Sequence, residues 1–219
     1  MGNHHSSRQV VDVSLVSQSL QAVVLHKSLP SQVLATPTKL RLEHQNKVLC
    51  VFDHATGELL FRQDGELFSE FTESMLVDAK SSPIVKMERK LLYHGGQCSI
   101  QSPSAPHTEL HKIEIEKRDF ILTMKLWLED AASDEKVLIE VGSDWRLRKG
   151  VVWLSRGAAV DKKREAREEL REGICNVAYK ENGYEVEVAA GVDLTLATLV
   201  CIALHESMAD APVTVGARC

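Results

Sequence analysis

The sequence predicts a mainly β protein, an antiparallel β-barrel that encloses one hydrophobic α-helix near the C-terminus. From Leu40 to Val188, short alternating segments are separated by turn signals about every eight to twelve residues, as in a closed or double-layered antiparallel sheet. From Leu194 to Leu204 only two threonines are polar, so a helix there has no polar face. A barrel has no sheet edges, and a helix fills a lumen that is too wide for side chains alone.

The composition is that of an ordinary globular protein of 219 residues, 44% hydrophobic and 26% charged, which fits one domain. The net charge of -5 argues against a nucleic-acid partner, because nucleic-acid-binding domains usually carry a basic face. The five cysteines are far apart and odd in number, which favours reduced, buried thiols. No apolar leader follows the N-terminus. We therefore expect a cytoplasmic protein, with peripheral membrane and nuclear locations as open alternatives.

Residues 1–36 form an N-terminal arm that we expect to be partly disordered. The apolar residues between positions 10 and 25 have no clean period, so this part is either an outer strand or a loosely packed arm. The first residues fit the N-myristoylation template, with Gly2 after the initiator and Ser6 in the sixth position. An ordinary disordered tip is the alternative, because no nearby cysteine or polybasic run supplies a second anchoring signal.

The barrel domain is expected to cover residues 37–210. Its alternating segments are, in order, 40–42, 48–52, 59–61, 75–77, 84–91, 110–116, 119–128, 137–141, 145–148, 151–154, 174–179 and 184–188. Three connections are predicted from their glycines: a turn at 94–96, a tight connection at 149–150, and a type I′ hairpin turn at Asn182-Gly183, where both residues tolerate positive φ. The last hairpin leads directly into the helix.

One charged segment interrupts the alternation. Residues 161–172 contain five basic and five acidic side chains, with only Ala166 and Leu170 as apolar ones. This pattern predicts a solvated insertion, either helical or mobile. After the helix, residues 211–219 are expected to be a flexible tail.

The central helix is predicted from Val192 to Met208, with Asp193 as an N-cap carboxylate. Its buried positions are expected to be Leu194, Leu196, Leu199, Val200, Ile202 and Leu204. A membrane-spanning helix needs roughly 20 apolar residues, whereas this run is about 11 long. His205 and Glu206 follow it, and we expect them at a solvated helix end.

Several short motifs stand in an order that resembles a known family. They are Val51-Phe52-Asp53 with 57–62, Leu76-Val77-Asp78-Ala79 with 83–85 and Arg89-Lys90, and the segment 187–193 before the helix. Over residues 38–206 the sequence resembles the LURP-one-related proteins of the tubby C-terminal-like superfamily, which are distantly similar to phospholipid scramblases. The resemblance implies a barrel of about twelve strands around the C-terminal helix. The sequence departs from the family in residues 161–172 and after Asp210.

The sequence contains no motif that predicts catalysis. Glycine-rich phosphate loops, Cys-x-x-Cys, His-Glu-x-x-His and Gly-x-Ser-x-Gly are all missing from it. His107 and His111 have the spacing of a helical metal pair, but Pro106 and the alternating segment after them argue against a helix. We therefore expect no enzyme activity, no metal and no cofactor.

Basic residues on the predicted strands form two local groups. One group is Lys86, Arg89 and Lys90, and the other is Arg146, Arg148 and Lys149. They are either solvated outer faces, partly balanced by neighbouring acids, or one groove that holds phosphate groups by charge-assisted hydrogen bonds. The resemblance favours the groove, because tubby domains are similar in fold and bind phosphoinositides.

The hypothesis from sequence is a monomeric, non-enzymatic intracellular barrel protein that binds anionic phospholipid head groups reversibly. A regulatory scaffold that binds a protein partner instead of a lipid is the first alternative. Scramblase-like lipid transport is the second.

Overall fold

The structure, a computed structural model, describes residues 13–18, 22–45, 48–65, 71–92, 95–105, 108–118, 120–129, 135–144, 146–157, 160 and 170–209. Within these ranges the strands are β1 (Thr38–Gln45), β2 (Val48–Asp53), β3 (Leu59–Gly65), β4 (Phe71–Asp78), β5 (Pro83–Leu92), β6 (Gly95–Gln101), β7 (Glu109–Arg118), β8 (Ile121–Glu129), β9 (Lys136–Asp144), β10 (Lys149–Arg156), β11 (Glu172–Lys180) and β12 (Gly183–Val188). The helix α1 spans Leu194–Ala209. The expectations for Gly2, for 161–169 and for 211–219 fall outside the described residues.

The twelve strands form one closed antiparallel barrel, which confirms the predicted fold class. Each strand pairs with its neighbours in sequence, and β1 closes the ring by pairing with both β2 and β12. Leu42 lies opposite Val51 on one side and opposite Tyr184 on the other. The closure therefore leaves none of the described strands as a free edge.

The strand pleat divides the side chains into an inner and an outer layer. Leu42, Val51, Phe61, Leu76 and Val85 belong to five consecutive strands, face the lumen and are fully buried. Successive side chains of a strand point to opposite faces, so the residues between them lie on the outer wall. The alternation of apolar and polar residues along the strands therefore corresponds to side chains inside and outside the barrel.

The helix α1 occupies the lumen, as the sequence predicts. The six side chains expected in its core, Leu194, Leu196, Leu199, Val200, Ile202 and Leu204, are at most 2% exposed. The helix begins two residues later and ends one residue later than predicted. In the described part of the chain, no helix is long and apolar enough to cross a membrane.

Asp193 is the N-cap of α1, as predicted. Its Oδ1 accepts hydrogen bonds from the backbone N–H groups of Thr195 at 2.9 Å and Gln32 at 3.1 Å, and its Oδ2 accepts one from Leu25 at 3.3 Å. A capping carboxylate satisfies orphan amides of the first turn. Two of its three partners belong to the N-terminal arm, so the cap also fastens that arm to the helix.

Residues 22–34 of the N-terminal arm cover the barrel end at which α1 begins, which we name the closed end. The backbone N–H of Val23 donates to Gly191, and the carbonyl of Val23 accepts from Asp193, both at 2.9 Å. The side chains of Val23, Leu25 and Leu29 belong to the core cluster. Residues 23–29 therefore pack over this end, whereas residues 13–18 run beside β11, where the Val16 N–H donates to Gly173. The described part of the arm forms only isolated β-bridges.

Two predictions of strand position were wrong. Residues 94–96 were expected as a turn, but Gly95 and Gly96 begin β6, and a Cβ at Gly95 would collide with the carbonyl oxygen of Ile115. Glycine is required there by the close approach of β7, and not by a turn. Residues 145–148 were expected as a strand, but 146–148 form a turn between β9 and β10, and residues 149–150 already belong to β10.

The hairpin between β11 and β12 also differs from its prediction. Lys180 pairs with Gly183, so the two-residue loop is Glu181-Asn182 rather than Asn182-Gly183. Neither loop residue has a positive φ, which a type I′ turn requires. Gly183 is needed instead because a Cβ there would collide with the carbonyl oxygen of Leu42 on β1.

Candidate functional site

A cavity of about 740 Å³ opens at the barrel end opposite the closed end. The helix α1 ends there, beside the hairpin that joins β11 to β12. The cavity, which we name the mouth pocket, is lined by residues 43–44 of β1, Arg148 of the β9–β10 turn, residues 179–184 of the β11–β12 hairpin, and His205 of α1. One residue of the sequence-predicted basic groups, Arg148, thus lines it.

Hydroxyl and imidazole groups meet on the floor of the mouth pocket. The Tyr184 hydroxyl and His205 Nδ1 are 2.6 Å apart, and either can donate, depending on the tautomer of His205. The His44 and His205 rings have centroids 4.3 Å apart. Tyr179 packs edge-on against Tyr184, with centroids 5.2 Å apart, and its hydroxyl shares a hydrogen bond with Ser143. These five residues form what we name the mouth cluster.

The strand register explains why the mouth cluster forms. Tyr184 has the same inward phase as Val186 and Val188, and His44 has the same phase as Leu42. At this end of the barrel, Tyr184 and His44 take the inward positions that aliphatic side chains occupy further along the same strands. Their polar groups therefore face the lumen.

Burial keeps His205 and the two tyrosines of the mouth cluster neutral. It lowers the pKa of His205 to about 4, and the electrostatic interactions of His205 with His44 and Arg89 act in the same direction. It also raises the pKa of Tyr179 to about 12, and it raises the pKa of Tyr184. A neutral imidazole beside neutral phenols is therefore the state of this cluster near pH 7.

A buried ion pair lies beneath the mouth cluster. Arg89 of β5 points into the lumen, and its Nη1 is 3.4 Å from Oε2 of Glu206, with both side chains 5% exposed. Gln63 Nε2 donates to the other oxygen, Oε1 of Glu206, at 2.5 Å. A carboxylate is unfavourable at the C-terminal end of a helix, and the guanidinium offsets both that and its desolvation. The expectation of a solvated helix end at Glu206 is therefore wrong.

The structure separates the six basic residues of the predicted groove. Lys86 and Lys90 lie on the outer face of β5, where Lys86 pairs with Glu73 at 2.9 Å, whereas Arg89 is inside the barrel. Four strands, β6 to β9, lie between β5 and β10. The groups therefore lie on different sides of the barrel and do not form one groove.

The second basic group stays together at the mouth. Arg146 and Arg148 are exposed in the β9–β10 turn, and Lys149 is the half-buried first residue of β10. The Arg146 guanidinium pairs with Asp144 at 3.1 Å, and this holds the pKa of that carboxyl below its usual range. Arg148 is the member of the group that lines the mouth pocket.

The charged lining of the mouth pocket is mixed. Arg148 and Lys180 supply cations, and Glu43 and Glu181 supply anions. Glu43 is engaged by Arg41 at 2.6 Å, and Lys180 is paired with Glu185 at 2.9 Å, outside the pocket lining. The pocket thus offers a ligand both charges and neutral donors.

The described residues contain no group of three or more His, Cys, Asp or Glu side chains that could hold a metal ion. His107, one half of the His107–His111 spacing, lies outside them. His111 packs against His26 of the arm, with ring centroids 5.3 Å apart, at the closed end.

Most of the chain matches the model of one protein family. The family model described as LURP-one-related matches residues 39–205, most of the barrel and helix. Searches of curated proteins and of solved structures find no match to the chain.

Proposed function

This chain belongs to the LURP-one-related family, and from that membership we propose that it is a non-enzymatic barrel protein whose mouth pocket binds the anionic head group of a phospholipid. The observation that carries the proposal is the 740 Å³ cavity, which is lined both by Arg148 and by the hydroxyl and imidazole groups of Tyr184 and His205. Pockets for small molecules are usually of this size and combine a few convergent polar groups with aromatic walls. A phosphorylated head group has matching chemistry, since it presents phosphate oxygens to a guanidinium and hydroxyls to neutral partners.

The backbone at Arg148 supports a binding role for its side chain. Its φ is 54°, in the left-handed region that non-glycine residues seldom adopt, and the Tyr179 N–H donates to its carbonyl at 2.9 Å. Strained residues persist where the surrounding structure over-determines them, and they are concentrated at functional sites. Here the residue with this backbone conformation is one that lines the mouth pocket.

The protonation states favour binding over catalysis. With its pKa lowered to about 4, His205 is a weak base, and the raised pKa of Tyr184 makes its hydroxyl a poor nucleophile. General acid–base or nucleophilic catalysis would need these values to move towards neutrality. Neutral donors and acceptors suit the hydroxyls of a head group.

The test is calorimetric titration of the full chain with a soluble inositol bisphosphate, with uncharged inositol as the comparison ligand. The variant Arg148→Asn removes the cation but tolerates the left-handed backbone. Hydrogen bonds to a charged group contribute about 1.5–3 kcal/mol, so we expect the affinity to fall by about ten- to a hundredfold. Lys80→Asn is the matched control, because Lys80 is exposed in the β4–β5 turn at the opposite end.

The proposal fails if the unmodified protein does not bind inositol bisphosphate, or if Lys80→Asn weakens binding as much as Arg148→Asn. A third variant, Lys86→Glu with Lys90→Glu, tests whether the head group binds in the mouth pocket or on the outer face of β5. If this variant abolishes binding while Arg148→Asn does not, the head group binds the outer face of β5 and not the mouth pocket.

A further inference from the structure

Two apolar side chains are exposed at the tips of neighbouring hairpins. Phe120, between β7 and β8, is 51% exposed, and Leu147, between β9 and β10, is 37% exposed. The tips are adjacent because Ile121 pairs with Asp144 across β8 and β9. The Arg146 guanidinium lies over the Phe120 ring, 5.2 Å from its centroid, and so joins the two tips.

Both tips lie at the barrel end that carries the mouth pocket. Leu147 directly precedes Arg148, which lines the pocket. Exposed large apolar side chains also occur elsewhere, for example Trp127 at 42% on the outer face of β8, but that side chain is further along β8 towards the closed end. The mouth therefore combines a polar pocket with an apolar rim segment.

The charge around the Leu147 tip is positive. Residues 144–149 contain three cations and one anion, Asp144, whose side chain is only 4% exposed and is paired with Arg146. The Arg146 side chain is 57% exposed in spite of that pair. Apolar tips with interleaved cations match a surface that is apolar below a layer of phosphates, which is the interface of an anionic bilayer.

We propose that the hairpin tips at Phe120 and Leu147 dock the barrel, mouth first, on an anionic lipid bilayer. The two apolar side chains enter the interfacial region, and Arg146 and Lys149 lie against lipid phosphates. The inference rests on the proposed function, because a barrel docked in this way presents the mouth pocket to head groups of the same leaflet. Two separate hairpin tips with cations between them fit a fluid interface better than the flat surface of a folded partner.

The experiment measures vesicle binding and head-group binding separately. Cosedimentation uses vesicles of phosphatidylcholine with phosphatidylserine and a phosphoinositide, and calorimetry uses soluble inositol bisphosphate. The variant Phe120→Ser with Leu147→Ser should lose at least about tenfold in vesicle affinity, because it removes the apolar surface that would be buried in the interface. Its affinity for soluble inositol bisphosphate should not change. Trp127→Ser is the matched control and should bind vesicles like the unmodified protein.

The outcomes separate this proposal from the pocket proposal. If Arg148→Asn keeps its affinity for inositol bisphosphate and the tip variant does not bind vesicles, docking stands and the pocket assignment fails. If Arg148→Asn loses both ligands while the tip variant keeps vesicle binding, docking is overturned and the pocket stands. Loss of vesicle binding in Trp127→Ser equal to that in the tip variant also overturns docking. Docking is also overturned if the unmodified protein does not bind vesicles and sedimentation velocity shows that it self-associates through the two tips.

Discussion

The two ends of the barrel are built from different kinds of interaction. At the closed end, the arm is held by backbone hydrogen bonds and by aliphatic side chains such as Val23 and Leu25, and the carboxylate of Asp193 is satisfied by backbone amides. At the mouth, the polar groups are side chains that satisfy one another, as Tyr184 and His205 do at 2.6 Å. Backbone contacts fix one conformation, whereas side-chain partners can be exchanged for a ligand. The closed end therefore stabilises the fold, and the mouth is the end suited to binding.

The helix shows the same difference along its length. The middle of α1 is apolar on all sides. Before its first residue, the Asp193 cap accepts hydrogen bonds from backbone amides. In its last turn, Glu206 instead interacts with the side chains of Arg89 and Gln63. Substitutions along this helix and at its two ends therefore test the difference between the closed end and the mouth.

Leu199→Asp should prevent folding, because it would place an unpaired carboxylate at the fully buried centre of α1. Circular dichroism and solubility after expression measure the result. Leu199→Met is the control, since a swap that conserves volume costs less than about 1.5 kcal/mol. A soluble Leu199→Asp variant with a cooperative melt would mean that the helix is not enclosed.

Arg89→Met should lower the free energy of unfolding by about 3–5 kcal/mol, because it leaves the Glu206 charge buried without its cation. Adding Glu206→Leu should recover most of that loss, since a buried ion pair can be replaced by apolar side chains at little cost. Urea unfolding of the two single variants and the double variant gives the coupling energy. Equal stability of Arg89→Met and the double variant would show that the pair is solvated at the mouth.

Asp193→Ala should cost about 2–4 kcal/mol, because it removes the helix cap and leaves buried amides without an acceptor. Asp193→Asn keeps one acceptor oxygen and should cost less. Hydrogen exchange is expected to speed up at the amides of Leu25, Gln32 and Thr195, while the mouth is unaffected. Unchanged exchange at these amides would show that the arm is held independently of the cap.

The stability of the protein should fall as the pH drops from about 6.5 towards 4. The pKa of His205 is lowered to about 4 in the fold, so the unfolded chain binds a proton in this window that the native protein excludes. The loss attributable to His205 is on the order of 2–3 kcal/mol. His205→Gln should flatten the pH dependence measured by urea unfolding. An identical slope in His205→Gln and in the unmodified protein would contradict the buried, neutral state of His205.

Local alternation was enough to predict the barrel but not each strand. The segment 145–148 alternates like a strand, yet residues 146–148 form a turn on which Leu147 is exposed. Gly95 and Gly96 suggested a turn and instead begin β6. These errors offset each other in the strand count. Whether a glycine marks a turn or a close approach between strands depends on the neighbouring strand, which a local pattern does not contain.

The site was less accessible to sequence reasoning than the fold. The inward phase of Tyr184 with Val186 is visible in the sequence, but its meeting with His205 depends on how far α1 extends through the lumen. The same is true of Arg89 on β5, whose side chain points into the core and forms an ion pair with Glu206 of the helix. Contacts between the wall and the axis of a barrel are set by three-dimensional register, and proximity in sequence does not reveal them.

The most direct test of the central claim, that the two ends differ in function, is an amide chemical-shift titration of the full chain with soluble inositol bisphosphate. We predict shift changes at Arg148, at residues 179–184 and at His205, with residues 22–34 and Asp193 unchanged. Shift changes at the closed end, or confined to the outer face of β5, would contradict the account.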